Sequence, residues 1–198
     1  MRKKLIIILS GIILPLILIP SLFILEKAES EEKNIKTDYD FVFYSADYDE
    51  NIFEDEEYLT LNHIISYKNG PITISVLPEE YVSIDPVLNF LSELVNVMKN
   101  GDYEAYSAYF SDDFKAKISL PEKFTMQRIY NVTIEKLSEG RGEDGETQLV
   151  YMLDFMISKN NGSLRNDIDS DSSKPWYLTI TVENGKYLID NILTINQK

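Results

Sequence analysis

Trp176-Tyr-Leu-Thr-Ile-Thr-Val-Glu-Asn-Gly-Lys-Tyr-Leu-Ile-Asp190 contains two short apolar alternations around one turn. Trp176, Leu178, Ile180 and Val182 occupy every second position, and Tyr187 and Ile189 resume the pattern. Apolar residues at that period line one face of a pleated strand. Glu183-Asn184-Gly185-Lys186 separates the runs, and Asn-Gly accepts the positive φ angles of a tight hairpin. A lone hairpin is barely stable in water, so its apolar face must be continued by other elements.

It is continued upstream. Gln148 to Ile157 reads as a long strand apolar on both faces, and Ile129 to Leu137 alternates before it. A Gly-rich turn at 139–145 joins the two, and Lys159 to Lys174 is a polar loop. Four antiparallel strands in a meander are expected. Before them the period becomes helical. Val87, Leu88, Leu91, Leu94, Val95 and Met98 form one stripe, opened by the cap Asp85 and by Pro86. Asn100-Gly101 stops that helix. Asp102 caps a second one bearing Tyr103, Tyr106 and Phe110, and Ser111-Asp112-Asp113-Phe114 begins a third. Further upstream, Lys68-Asn69-Gly70-Pro71 joins two runs ending in Ile65 and Val76, a separate hairpin within 58–84. Helices on one face of a bent antiparallel sheet make an α+β layout.

The N-terminus carries an address. Leu5 to Leu25 is a run of 21 residues without a charge, placed directly behind Arg2, Lys3 and Lys4. As a helix it is about 31 Å long, which matches a hydrocarbon layer of about 30 Å. The basic residues stay cytoplasmic by the positive-inside rule, so the chain beyond Leu25 is expected outside the cytoplasm. A cleaved secretory signal is the alternative, with Ala28-Glu29-Ser30 offering a small-x-small site. The expected organisation is a cytoplasmic tail at 1–4, a transmembrane anchor at 5–25 and a charged tether at 26–57. A β-hairpin extension at 58–84 and the main domain at 85–198 follow.

Arg2, Lys3 and Lys4 add +3 to a chain of net −14, leaving −17 beyond Leu25. Such a surface repels phosphate backbones and anionic lipid, so nucleic acid is not an expected partner. A basic partner, a cation or plain solubility would each account for it. The chain has no cysteine, which excludes disulfides and a lipidated cysteine. Abundant Ile, Lys, Asn and Glu suggest an AT-rich bacterial genome.

The helix Pro86–Lys99, then Asn100-Gly-Asp-Tyr-Glu-Ala-Tyr106, Tyr109-Phe-Ser-Asp-Asp-Phe114 and the closing hairpin resemble the nuclear transport factor 2-like fold. That family includes the ketosteroid isomerases. The resemblance covers roughly 85–195 and implies a cystatin-like cone, a curved antiparallel sheet wrapped by helices. It also implies that an exported member can be a non-catalytic subunit of an envelope complex, as in type IV secretion and conjugation machines.

Isomerase-like chemistry needs a base and a hydrogen-bond donor inside an apolar cavity. Asp154 is the one acid within the apolar strand, and Tyr151 can donate. Tyr106, Phe110 and Trp176 complete an expected ligand pocket; helical spacing equally makes the first two plain core residues. Asp167, Asp169 and Asp171 stand at alternate positions, a spacing that can wrap calcium. The glycine and glutamate of an EF-hand are replaced by Ser172 and Leu178, so an ordinary solvated loop is the competing reading. His63 is the only histidine and cannot build a metal site alone. No Gly-x-Ser-x-Gly elbow is present. The expectation is therefore a membrane-anchored extracytoplasmic domain that binds a protein or scaffolds an envelope complex. The alternative is a small-ligand binder or isomerase-like enzyme that uses the cone.

Overall fold

The computed structural model describes residues 40–142, 145 and 147–195. The chain divides at residue 40, and Phe41–Lys198 is the unit described below. Its sheet has six strands: β1 (Ile65–Asn69), β2 (Ile72–Val76), β3 (Arg128–Arg141), β4 (Thr147–Ser158), β5 (Trp176–Glu183) and β6 (Lys186–Thr194). They lie in the order β2-β1-β3-β4-β5-β6, and every pair is antiparallel except β1 with β3. The helices are α1 (Glu56–Leu59), α2 (Tyr81–Ile84), α3 (Pro86–Lys99), α4 (Tyr103–Ser107) and α5 (Asp112–Lys117).

Helix α3 forms because both ends are specified. The Asp85 carboxylate accepts from the Val87 N–H at 2.9 Å, and Pro86 needs no N–H partner at the first helical position. Gly101, at φ +66°, turns the chain beyond the helix end. The stripe between these ends, Leu88, Leu91, Leu94, Val95 and Met98, is buried against the sheet. On the sheet, Ile134, Leu153 and Trp176 stand side by side across β3, β4 and β5 and face that stripe, as do Tyr151 and Leu178. Asn131, at φ +50°, falls where the β3–β4 register shifts, and this bulge bends the long strands.

The sheet as a whole is mixed, not the purely antiparallel one expected: β3 to β6 run as a four-stranded antiparallel meander, but β1 lies parallel beside β3, and a few short helices accompany the sheet. The hairpin at 58–84 is no appendage either, because its β1 joins the sheet beside β3. Two strands related by a crossover run parallel more readily than hairpin neighbours, and the helical segment between β2 and β3 supplies that crossover. A cystatin-like or nuclear transport factor 2-like cone is not what these elements identify. Among the described residues no helix is long and apolar enough to cross a membrane. The run Leu5 to Leu25 lies outside the described residues.

The acidic run 47–57, expected as tether, folds onto the domain. Ile52 and Tyr58 are buried, and the Asp55 side chain caps α1 by accepting from the Glu57 and Tyr58 amides. The Tyr58 hydroxyl donates to the Ile129 carbonyl at 3.0 Å, which ties this segment to the start of β3.

Candidate binding surfaces

The interior expected to hold a ligand is filled. Tyr106, Phe110, Tyr151 and Trp176 are brought together in one core cluster, and none is more than 6% exposed. Their rings pack on neighbours: Tyr106 on Phe110 at 4.9 Å and on Phe124 at 5.3 Å, Phe155 on Trp176 at 5.2 Å. Asp154 is not with them. Tyr151, Leu153 and Phe155 point to the helices, so the alternation of the strand sends Asp154 to the opposite face. There its Oδ2 accepts from the Ser173 hydroxyl at 3.2 Å, and its Oδ1 is buried with no hydrogen-bond partner among the described residues. Burial raises its pKa above the ordinary carboxylate value, and the Ser173 hydrogen bond only partly offsets this.

A polar node that sequence reading missed sits at the start of α3. Asp85 is buried, and its Oδ2 accepts from both the Tyr67 and Tyr151 hydroxyls at 2.7 Å. Its other oxygen is occupied by the Val87 amide. Burial first, and then the hydrogen bond to Asp85, push both phenols well above the usual tyrosine range. Both hydroxyls are therefore donors committed to one carboxylate. The node joins β1, β4 and α3 and leaves no hydroxyl hydrogen for a substrate.

Just outside this node lies a groove of about 370 Å³, lined by Val82, Pro86, Asn89, Phe90, Glu93, Gly185, Lys186 and Tyr187. Helix α3 provides one wall and the β5–β6 turn the other. Phe90 contributes the aromatic floor, with its ring 5.2 Å from Tyr109 and 5.8 Å from Tyr187. The Asn89 amide donates to Glu93 at 2.8 Å. The surface is thus apolar at the bottom and charged at its margins.

A second cleft of about 430 Å³ is ionic, with Tyr44, Glu50, Asp55, Arg128, Lys159 and Asn161 in its wall. Arg128 is buried and donates to Asp55 at 2.9 Å and also to Glu50. Lys159 reaches Asp55 at 3.2 Å and Glu57 at 3.0 Å. These charges answer one another. The Tyr58 amide leads, with Arg128 and Lys159 added, in holding the Asp55 carboxyl down at about 2 against the cost of its burial. A folded pKa below the ordinary 3.8 means stability that is complete above that value and is lost as pH falls toward about 2. Asp55→Asn should therefore lower the urea midpoint at neutral pH and approach the parent as pH drops through this window. A gap between the two proteins that stays constant down to that pH would show that the Asp55 charge is not engaged.

The three alternating carboxylates do not converge. Asp167 is held by Arg165 at 2.7 Å and by Lys174 at 3.1 Å, Asp169 accepts from the Val42 amide, and Asp171 accepts from the Tyr130 hydroxyl at 2.9 Å. Burial would raise Asp167, but Arg165 and Lys174 prevail and keep it below the usual range. Arg165 itself is buried, stacked 4.8 Å over Trp176 and 5.5 Å over Phe155. Among the described residues no three His, Cys, Asp or Glu side chains form a metal-holding group. His63 bonds the Tyr58 carbonyl at 2.9 Å. No protein-family model, curated protein or solved structure matches this chain.

Proposed function

We propose that this chain is a membrane-tethered, extracytoplasmic module that works by binding a basic segment of another protein, as a component of a cell-envelope assembly. The observation that carries this reading is the filled interior. Side chains occupy the volume a small ligand would need, while the aromatic groove between α3 and the β5–β6 turn stays open. The uncharged run Leu5 to Leu25 supports the tether, and the −17 of the remainder favours a basic partner over an acidic one.

The chain lacks cysteine, so Asn89→Cys at the groove can carry a photo-crosslinker as the sole label. In membranes of the cell that makes it, the full-length labelled chain should yield a discrete protein adduct. Phe90→Ala should reduce that adduct severalfold, and raised salt should weaken it, because exposed charge attraction is screened over about 10 Å at 0.1 M. Two results oppose the proposal: no protein adduct at the groove, or release of the full chain from membranes by a carbonate wash.

A further inference from the structure

The two edges of the sheet are treated differently. At β6 the edge is closed: the Ile189 N–H donates to the Tyr109 carbonyl at 2.8 Å, and its carbonyl accepts from the Ser111 N–H at 3.0 Å. The Ser111 hydroxyl adds a bond to Asp190 at 2.7 Å, and both Lys186 and Asp190 charge this strand. At β2 none of this is present. One side of β2 pairs with β1, and among the described residues no backbone or side-chain hydrogen bond reaches its other side. Gly70 to Pro78 carries no charged side chain, β2 has no proline within it, and no bulge interrupts its pairing. An open edge without charge, proline or bulge is a template for another strand.

The side chains of β2 point the same way. Ile74 lies opposite Tyr67 and Ile72 opposite Asn69, so both isoleucines sit on the side of the sheet that faces the helices. They are nonetheless 39% and 62% exposed, so none of the described helices covers them. The strand itself, Ile72-Thr73-Ile74-Ser75-Val76, has the same pattern in either direction. Antiparallel pairing of two copies about Ile74 places Ile72 against Val76, Ile74 against Ile74, and Thr73 against Ser75. Apolar groups then meet on one face and hydroxyls on the other, which a two-fold axis requires of any self-complementary surface. Two acidic domains can approach closely only where neither carries charge, and this stretch is such a place.

We infer that the chain forms a two-fold dimer through antiparallel β2–β2 pairing, giving a continuous sheet of twelve strands with Ile72 and Ile74 of both copies buried at the junction. The inference does not rest on the groove, and salt separates the two: groove binding weakens as salt rises, whereas the dimer strengthens as repulsion between acidic copies is screened.

The test uses the full-length chain in its membrane under mild oxidation. Directly opposed residues bring their Cβ atoms to about 4.5–5.5 Å, near enough for a disulfide after small adjustment. Ile74→Cys should cross-link to itself, Thr73→Cys alone should not, and chains carrying Thr73→Cys and Ser75→Cys should cross-link to each other. In detergent, Ile74→Lys should halve the protein mass measured by light scattering. The inference is overturned if Ile74→Cys gives no covalent dimer, or if Asn191→Cys on the closed edge links equally well. A dimer mass that survives Ile74→Lys, or a monomeric parent, overturns it too, since another segment or partner would then occupy the edge.

Discussion

Asp85→Ala is expected to lower folding stability by about 3–7 kcal/mol, much more than loss of an ordinary helix cap. The cap contributes about 1 kcal/mol, and the carboxylate also favours the positive end of the α3 dipole. The larger part comes from the phenols. Tyr67 and Tyr151 are 5% and 0% exposed, and each donates to Asp85 Oδ2 at 2.7 Å. Without that oxygen two buried hydroxyls lose their acceptor, at about 1–3 kcal/mol each. A domain of this size has only about 5–15 kcal/mol in total, so the variant should be close to unfolding. Trp176, the only tryptophan and 6% exposed, reports the transition by fluorescence in denaturant. Asp85→Ser should keep the cap yet strand the phenols, and adding Tyr67→Phe with Tyr151→Phe should then recover most of the loss. A cost for Asp85→Ala near 1 kcal/mol would mean that the hydroxyls find other acceptors and that Asp85 is only a cap.

Asp85 also marks how far residue patterns reach. The Asp-Pro start and Asn-Gly end of α3 are local chemistry, and they place the helix at Pro86–Lys99. The two phenols are invisible to such reading because Tyr67 and Tyr151 lie 18 and 66 residues away. Strand periodicity has the same boundary. It identifies which residues share a face, but neither the neighbouring strand nor its direction, so the parallel β1–β3 pairing was not legible. Parity does separate one pair: Tyr151 and Asp154 differ by three, and a strand must send them to opposite faces. The acidic run 47–57 misleads for a different reason. Its seven carboxylates suggest a solvated tether, but Arg128 lies 73 residues beyond Asp55, where no local charge count can find it. Asp167, Asp169 and Asp171 have a cation's spacing, yet Arg165, Lys174, the Val42 amide and Tyr130 claim them.

Gly101→Ala should cost about 3 kcal/mol or more, combining a left-handed backbone with a clash against main chain. Gly101 has φ +66°, where an L-residue loses roughly 1–2 kcal/mol. A β-carbon there would also stand 2.7 Å from the Met126 nitrogen and 2.9 Å from the Thr125 carbonyl carbon. Neither atom can rotate away as a side chain would. The segment holding them is pinned, since the Gln127 N–H donates to the Lys99 carbonyl at 3.2 Å and the Gln127 side chain to Thr125 at 2.9 Å. Relief would have to come from separating the end of α3 from the entry to β3, which is the contact that fixes how helix and sheet meet. Gly70 provides the control: it has φ +57°, but none of the described residues comes within 4 Å of its would-be β-carbon. Gly70→Ala should therefore show the backbone cost alone, about 1–2 kcal/mol. The difference between the two variants, read from Trp176 unfolding, measures the steric part. Equal losses would mean that 125–127 yields freely, and that the close approach at Gly101 does not hold α3 to β3.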